Sequence, residues 1–341
     1  MTKKTQTPLG IFMESIGLYF SNFDKFVKYM TFPVLGQIGG LLLVFLITYF
    51  YTQNIPPLID KFEALNNFNV LVALSILITL PGLAIFMKSF WEYLIAYGSI
   101  NSMYTNLKKS GKVYDFDAHT ELIKRRTIAF IGVWFLFGIF SAFAFIPLLF
   151  WVICGILAIY FVLTFQVFTF EPELSPIKCV KRSAELIKGH FASTFMLMAL
   201  VGALTYILVP QLCIKIFDIS GINELLAKLV IPFIPPIPNL ELEQYGLKSP
   251  TEIDIALFTI KVFVAQILIQ YTLPLRSILW SEWYEELSHN QAVTEAKPSN
   301  KKKKNSKKRP SERLMEESHK KYGKKKLDNN ILKRAAEKDE D

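Results

Sequence analysis

A chain of 341 residues that is 52% hydrophobic and 14% aromatic, with a mean hydropathy of +0.32, is too apolar for an ordinary soluble domain. Its formal charge of +9 is concentrated at one end. From Ser288 onward 17 Lys and Arg stand against 9 Asp and Glu, which leaves the rest of the chain close to neutral. Cys154, Cys179 and Cys213 fall in dissimilar surroundings with no C-x-x-C spacing, which excludes a disulfide framework; they read as small apolar residues.

In chain order, Leu9, Phe12, Ile16, Phe20, Phe23, Val27 and Met30 come first, at steps of three and four. Glu14, Ser21, Asp24, Lys25 and Lys28 take the other faces. The period predicts an amphipathic helix, which either lies among lipid headgroups or packs in a bundle. Crossing a bilayer takes about 20 apolar residues. Thr31–Phe50 and Asn69–Met87 meet that length, the second extending as a helix into the cytoplasm. Thr127–Phe170 is too long for one crossing and has Pro147 near its middle, so a hairpin turning around Phe145–Leu148 is predicted. Phe191–Cys213 and Ile255–Leu273 complete six spans. None shows the alternation of a barrel strand, so all must be helical. Between the last two, Ile222, Leu225, Leu226, Leu229 and Val230 predict a short helix, followed by an extended stretch with Pro232, Pro235, Pro236 and Pro238.

Basic residues alternate across these spans. Lys3, Lys4, Lys25 and Lys28 precede the first. Lys108, Lys109, Lys112, Lys124, Arg125 and Arg126 follow the second, and Lys178, Lys181, Arg182 and Lys188 follow the fourth. On the other side stand only Lys61, Lys215, Lys228 and Lys248. The positive-inside rule then puts both termini in the cytoplasm. The first apolar run starts about thirty residues in, with no A-x-A-like site after it, so no cleavable signal peptide is expected. The fold class expected is an all-α integral membrane protein of a bacterial-type cytoplasmic (inner) membrane. It has six transmembrane helices, amphipathic interfacial helices and a disordered basic C-terminal tail. The divisions are an N-terminal amphipathic helix (1–30), a six-span domain (31–286) and the tail (287–341).

A second amphipathic helix is predicted between the fourth and fifth spans. Ser175 suits the N-cap and Pro176 the first helical position. Leu174, Ile177, Val180, Ala184, Ile187 and Phe191 form its apolar face, Lys178, Lys181, Arg182 and Lys188 its basic face, and Gly189 a bend. Glu171 and Glu173 lie where carboxylates suit the helix dipole. Ser15-x-x-Leu18-x-x-x-x-Phe23 and Ser183-x-x-Leu186-x-x-x-x-Phe191 share one spacing. Each precedes a span, an outer loop and a return span, which suggests two parallel repeats around an inserted hairpin.

The run from Glu173 to Phe191 resembles a signature of the membrane-domain family named after glycerophosphoryl diester phosphodiesterases and of its YciC-like bacterial relatives. The matching residues are Ser175, Pro176, Arg182, Ser183, Leu186, Gly189 and Phe191, with Cys179 where the family usually has Ala. The resemblance spans roughly Leu9 to Arg276. It implies a membrane domain and no particular activity. The enzyme domain that gives the family its name would need far more soluble chain, with clustered acidic residues and His.

No catalytic, metal or cofactor constellation is recognisable. His119, His190, His289 and His319 are dispersed, and no phosphate-binding glycine loop or G-x-S-x-G occurs. A non-enzymatic protein without a cofactor is therefore expected. Polar residues in spans are the default functional candidates. Lys261, Gln266 and Gln270 in span six, with Asp254 two turns before Lys261, and the Lys88/Glu92 pair at the inner end of span two form a candidate polar track. Most of these residues lie near a membrane edge, so snorkelling and interhelical contact are the favoured account, with Gln266 the hardest for it to explain. Gly36-x-x-x-Gly40 permits close helix contact. In the tail, Lys301, Lys302, Lys303, Lys304, Lys307, Lys308 and Arg309 suit anionic lipid headgroups, RNA or a ribosome, or only anchor the topology. The expected role is membrane organisation, lipid handling or transport support. The alternatives are a transporter or channel using the polar track, and a membrane anchor for ribosome, RNA or anionic lipid using the tail. The bilayer is the one certain partner expected.

Overall fold

The computed structural model describes residues 7–59, 61–62, 67–143, 149–234 and 250–295. Among them every regular element is helical. The elements are α1 (Pro8–Phe20), α2 (Phe23–Ile59), α3 (Phe68–Ser110), α4 (Phe116–Lys124), α5 (Thr127–Phe143), α6 (Leu149–Phe161), α7 (Thr164–Phe170), α8 (Pro176–Ile187), α9 (Phe191–Gly202), α10 (Val209–Ile219), α11 (Ile222–Val230), α12 (Glu252–Tyr271) and α13 (Leu273–Glu295). A π-helical segment, Ala203–Leu208, joins α9 to α10 ahead of Pro210. Four stretches are long and apolar enough to cross a membrane: Phe23–Ile59, Phe68–Ser110, Trp151–Phe170 and Phe191–Ile219. The turn expected around Phe145–Leu148 and the tail residues from 296 onward lie outside the described residues. Helix α13 continues to Glu295 with Leu287 buried, so ordered helix runs past the boundary expected at residue 286.

The chain forms two compact units. Among the described residues, the first comprises those within 7–26, 95–201 and 274–295, the second those within 27–94 and 202–273.

In the first unit, α7 has every residue from Thr164 to Phe170 buried. Trp134 and Phe165 are tilted at 48° with centroids 4.5 Å apart, and the Phe130 ring lies 5.6 Å from Phe168. Arg126 places its guanidinium 4.0 Å over the Phe168 ring and donates to the Phe168 and Pro172 carbonyls at 2.7 and 3.1 Å. A cation thereby closes the carbonyl end of α7. The two predicted amphipathic helices are present, but their inward faces are rotated from the predicted stripes. Helix α1 buries Ile11, Ser15 and Tyr19 and exposes Leu9, Met13 and Phe20. Helix α8 buries Cys179, Ser183, Leu186 and Ile187 and exposes Ile177. The cause is the same in both. The packing face carries a serine whose hydroxyl is hydrogen-bonded inside, and an apolar-stripe count passes over it.

The helices also match in plan. Thr7 and Ser175 are N-caps, and Pro8 and Pro176 are first residues. Ile11/Cys179, Ser15/Ser183 and Tyr19/Ile187 are equivalent buried positions, and Phe23 and Phe191 open the next helix. The N-terminal helix is not continuous to residue 30. It breaks at Ser21–Asn22, where the Asn22 side chain donates to the Leu18 and Gly111 carbonyls and accepts from the Val113 amide.

In the second unit, α2 and α3 meet backbone to backbone. A Cβ on Gly40 would lie 2.5 Å from the Phe86 nitrogen and 2.8 Å from the Gly82 oxygen. One on Gly82 would lie 2.9 Å from the Gly40 oxygen. One on Gly36 would strike the Ser89 hydroxyl. The Gly36/Gly40 spacing thus makes the contact it permits, with Gly82 as its partner. Helices α10, α11 and α12 pack against one another, with Ala227 and Ala256 wholly buried. Thr251 and Asp254 form a reciprocal capping box at the start of α12.

Gly40→Ala is expected to force α2 and α3 apart and destabilise the detergent-solubilised protein by about 1–3 kcal/mol. Gly39→Ala, whose Cβ would meet nothing within 4 Å, serves as the control in the same thermal-unfolding measurement.

Candidate functional site

The signature between Glu173 and Phe191 is built into the first unit. Ser175 caps α8, and the Pro176 ring fills the space over Gly132, where a Cβ would come within 3.0 Å of it. Ser183 spans the break between α6 and α7, donating to the Tyr160 carbonyl at 2.8 Å and accepting from the Leu163 amide at 3.2 Å. Arg182 donates to Glu171 at 3.2 Å and to Gln291 at 2.8 Å, and Tyr284 donates to the same Glu171 oxygen at 2.8 Å. Gly189 has φ +88, a conformation that favours glycine, and supplies the bend. The Phe191 ring stands 5.6 Å from Tyr160. Ser175 stands at the N-cap position without a side-chain hydrogen bond, whereas Arg182 and Ser183 are hydrogen-bonded and Leu186 is buried. Burial pushes the Cys179 thiol up to about 11, against a partly offsetting field from Arg126. It stays protonated and unreactive at neutral pH.

The same unit holds a carboxyl cluster that residue pattern alone did not reveal. Glu282 on α13 is 1% exposed. Lys108 lies 3.3 Å from Glu282 and 3.2 Å from Glu285, and it donates to the Tyr104 hydroxyl at 2.7 Å. Ser15 donates to the other Glu282 oxygen at 3.1 Å. Burial pushes Glu282 up to about 7; Lys108 pulls the other way, and the Glu14 carboxyl beside it adds to the rise. Desolvation outweighs the attraction of Lys108, so Glu282 holds its proton to a higher pH than an exposed carboxyl does. The only hint in the sequence is that Glu282 is flanked by Leu275, Ile278, Leu279, Trp283 and Leu287 at helical spacing.

Nearby, Asn101 accepts from Gln166 at 3.2 Å, from Ser281 at 3.3 Å and from Ser277. His119 is held by Ser102 and Asn106, and burial lowers its pKa to about 4 despite Asp115. These contacts organise helices around a neutral polar interior.

The second unit carries an open groove of about 310 Å³, lined by Tyr29, Phe32 and Pro33 of α2 and by Lys88 and Glu92 of α3. The volume falls within the range of small-ligand sites. The Lys88 ammonium stands 5.4 Å over the Phe32 ring, a cation–π contact. Phe32, Leu35, Leu83, Met87 and Phe90 are exposed on the same two helices.

The remaining track residues lie on α12. Lys261 pairs at 3.0 Å with Asp218, which also accepts from Asn223 at 2.7 Å. Gln270 accepts from Gln37 at 3.4 Å, and Gln37 also donates to the Pro33 carbonyl. Gln266 is exposed. Among the described residues no hydrogen bond or ion pair links Lys261, Gln266 and Gln270 to one another. Asp218 rather than Asp254 is the partner of Lys261, because Asp254 is engaged by the Thr251 cap. Lys301–Lys304, Lys307, Lys308 and Arg309 lie outside the described residues.

No protein-family model, no characterised protein and no solved structure matches this chain.

Between about pH 4.5 and about pH 7 the folded chain keeps a proton on Glu282 that the unfolded chain has released. This group's contribution to stability therefore falls as pH rises through that window. Glu282→Gln should remove the dependence. Its unfolding midpoint relative to the wild type is expected to climb from about pH 5 to about pH 7; a difference that shrinks would contradict the assignment.

Proposed function

We propose that this protein is a non-enzymatic, multi-pass protein of a bacterial-type cytoplasmic membrane that organises or handles phospholipid at the cytoplasmic leaflet. In this reading the chain crosses six times. The four long apolar stretches, with α5 and α12 added, make the crossings, and both termini stay in the cytoplasm by the bias of basic residues. Single cysteines at Lys112→Cys and Ser299→Cys, in a chain cleared of native cysteines, are expected to react with an impermeant reagent from the same face of sealed vesicles. Labelling from opposite faces would overturn the threading.

The observation that carries the lipid role is the groove of α2 and α3. A lysine held over an aromatic ring ends an apolar helix face, and the same two helices expose apolar side chains. That combination offers a phosphate partner at one end and acyl-chain contact below it. The resemblance carried by Ser175, Pro176, Arg182, Ser183, Gly189 and Phe191 supports membership of a membrane-domain family. The transporter reading has less support, since Lys261 and Gln270 each have a local partner on another helix.

Purified in mild detergent and washed by detergent exchange, the folded protein is expected to retain phospholipid at about one molecule or more per chain, read as organic phosphate after solvent extraction. Folded protein that carries no phosphate would overturn the role.

A further inference from the structure

We infer that α11 is an interfacial helix whose edge of Ile222, Leu225 and Leu229 sits in the acyl chains of the leaflet where α10 ends, so that its partner is a lipid surface met through hydrocarbon and not through headgroup charge. The inference concerns other residues than the α2/α3 groove and rests on the membrane-spanning reading alone.

Helix α11 has three unlike faces. At about 100° per residue, Asn223 and Ala227 share one side, Glu224 and Lys228 a second, and Ile222, Leu225 and Leu229 a third. The first side is buried, in a helix that packs on α10 and α12. The Asn223 amide pins it there, donating to the Ile214 carbonyl at 3.3 Å and to Asp218 at 2.7 Å. The second side is exposed and charged. The third is exposed and apolar, with Leu225 and Leu229 at 63 and 64%. Two exposed sides of opposite character suit neither water alone nor lipid alone; they suit the boundary between the two.

What meets the apolar side follows from where the helix begins. The stretch Phe191–Ile219 is long and apolar enough to cross a membrane, and α10 is its last part. Along α10, Leu212, Ile216 and Ile219 are 59, 60 and 88% exposed, as befits a crossing helix in contact with lipid. Only Ser220 and Gly221 separate that surface from Ile222. Gly221, at φ +74, takes the left-handed conformation that turns the chain there. The two apolar surfaces therefore stand at one level, and lipid against the end of α10 continues onto α11. Glu224 and Lys228 have opposite signs, so anionic headgroups offer this helix no net attraction.

The test uses the full-length chain cleared of native cysteines, in nanodiscs, with a nitroxide on Leu225→Cys, Leu229→Cys, Glu224→Cys or Lys228→Cys in turn. Each of these side chains is exposed, and the unfolding midpoint checks that each variant folds. Labels on Leu225→Cys and Leu229→Cys should be relaxed by oxygen in preference to a water-soluble nickel chelate and lie about 5–10 Å into the headgroup–acyl boundary. Labels on Glu224→Cys and Lys228→Cys should show the opposite preference. The pattern should be the same in discs of choline lipid alone and in discs containing an anionic glycerol lipid. Four labels alike would put α11 wholly in water or wholly in lipid. Leu225→Cys and Leu229→Cys labels shielded from both relaxants would mean that protein, such as a second copy of this chain, covers the face. Insertion that needs anionic lipid would make headgroup charge the attraction. Each of these results overturns the inference. None depends on phospholipid retained by the groove, so the lipid-handling role and the seating of α11 fail separately.

Discussion

The approach of Gly40 to Gly82 governs the second unit. Two helices normally stand 8–10 Å apart because side chains intervene; here backbone nitrogen and oxygen atoms occupy the space a single methyl would need. Water plays little part in holding apolar helices together inside lipid, so dispersion across a close backbone contact has to supply the adhesion. The contact also sets the spacing further along the same pair, where Phe32 and Pro33 of α2 face Lys88 and Glu92 of α3. A wider crossing would separate the aromatic wall from the charged one, and the groove would lose its shape.

The first unit is held by polar groups buried among aromatic ones. Glu282, Lys108, Ser15 and Tyr104 form one knot, and Glu171, Arg182, Tyr284 and Gln291 a second. Charges placed this deep are costly unless every partner is present. Both knots involve α13, a helix polar enough to pass for a solvated one. Its burial from Leu273 to Leu287 follows from the partners waiting for its acids.

Much of the helical plan is readable in the sequence because it rests on local rules. Run length gives the long apolar helices, Ser175-Pro176 gives the start of α8, Gly189 its bend, and Gly36/Gly40 a close contact. The misreadings share a physical cause. A stripe count treats serine as an outward residue, so Ser15 and Ser183 turned the predicted faces of α1 and α8 away from the true ones. Asn22, a turn former by propensity, is pinned by three hydrogen bonds to residues near and far in sequence. The Lys88 end of the groove was marked by residue type. Its aromatic wall was not, because nothing in the order of residues sets Phe32 beneath Lys88. Asp218 escaped for the same reason: its partner Lys261 lies on a different helix.

The matched plan of α1 and α8 would let either helix settle in the other's berth, since caps, buried serines and entering phenylalanines coincide. One pair of equivalent positions prevents the exchange: Glu14 in α1 corresponds to Arg182 in α8. Glu14 sits beside Glu282 within reach of the Lys108 charge, whereas Arg182 answers Glu171. A swapped arrangement would press the Glu14 carboxylate against Glu171 in the berth where Arg182 now answers it. Opposite signs at a single position thus discriminate the native fold from its nearest mimic during biogenesis, through repulsion in the wrong state as much as attraction in the right one.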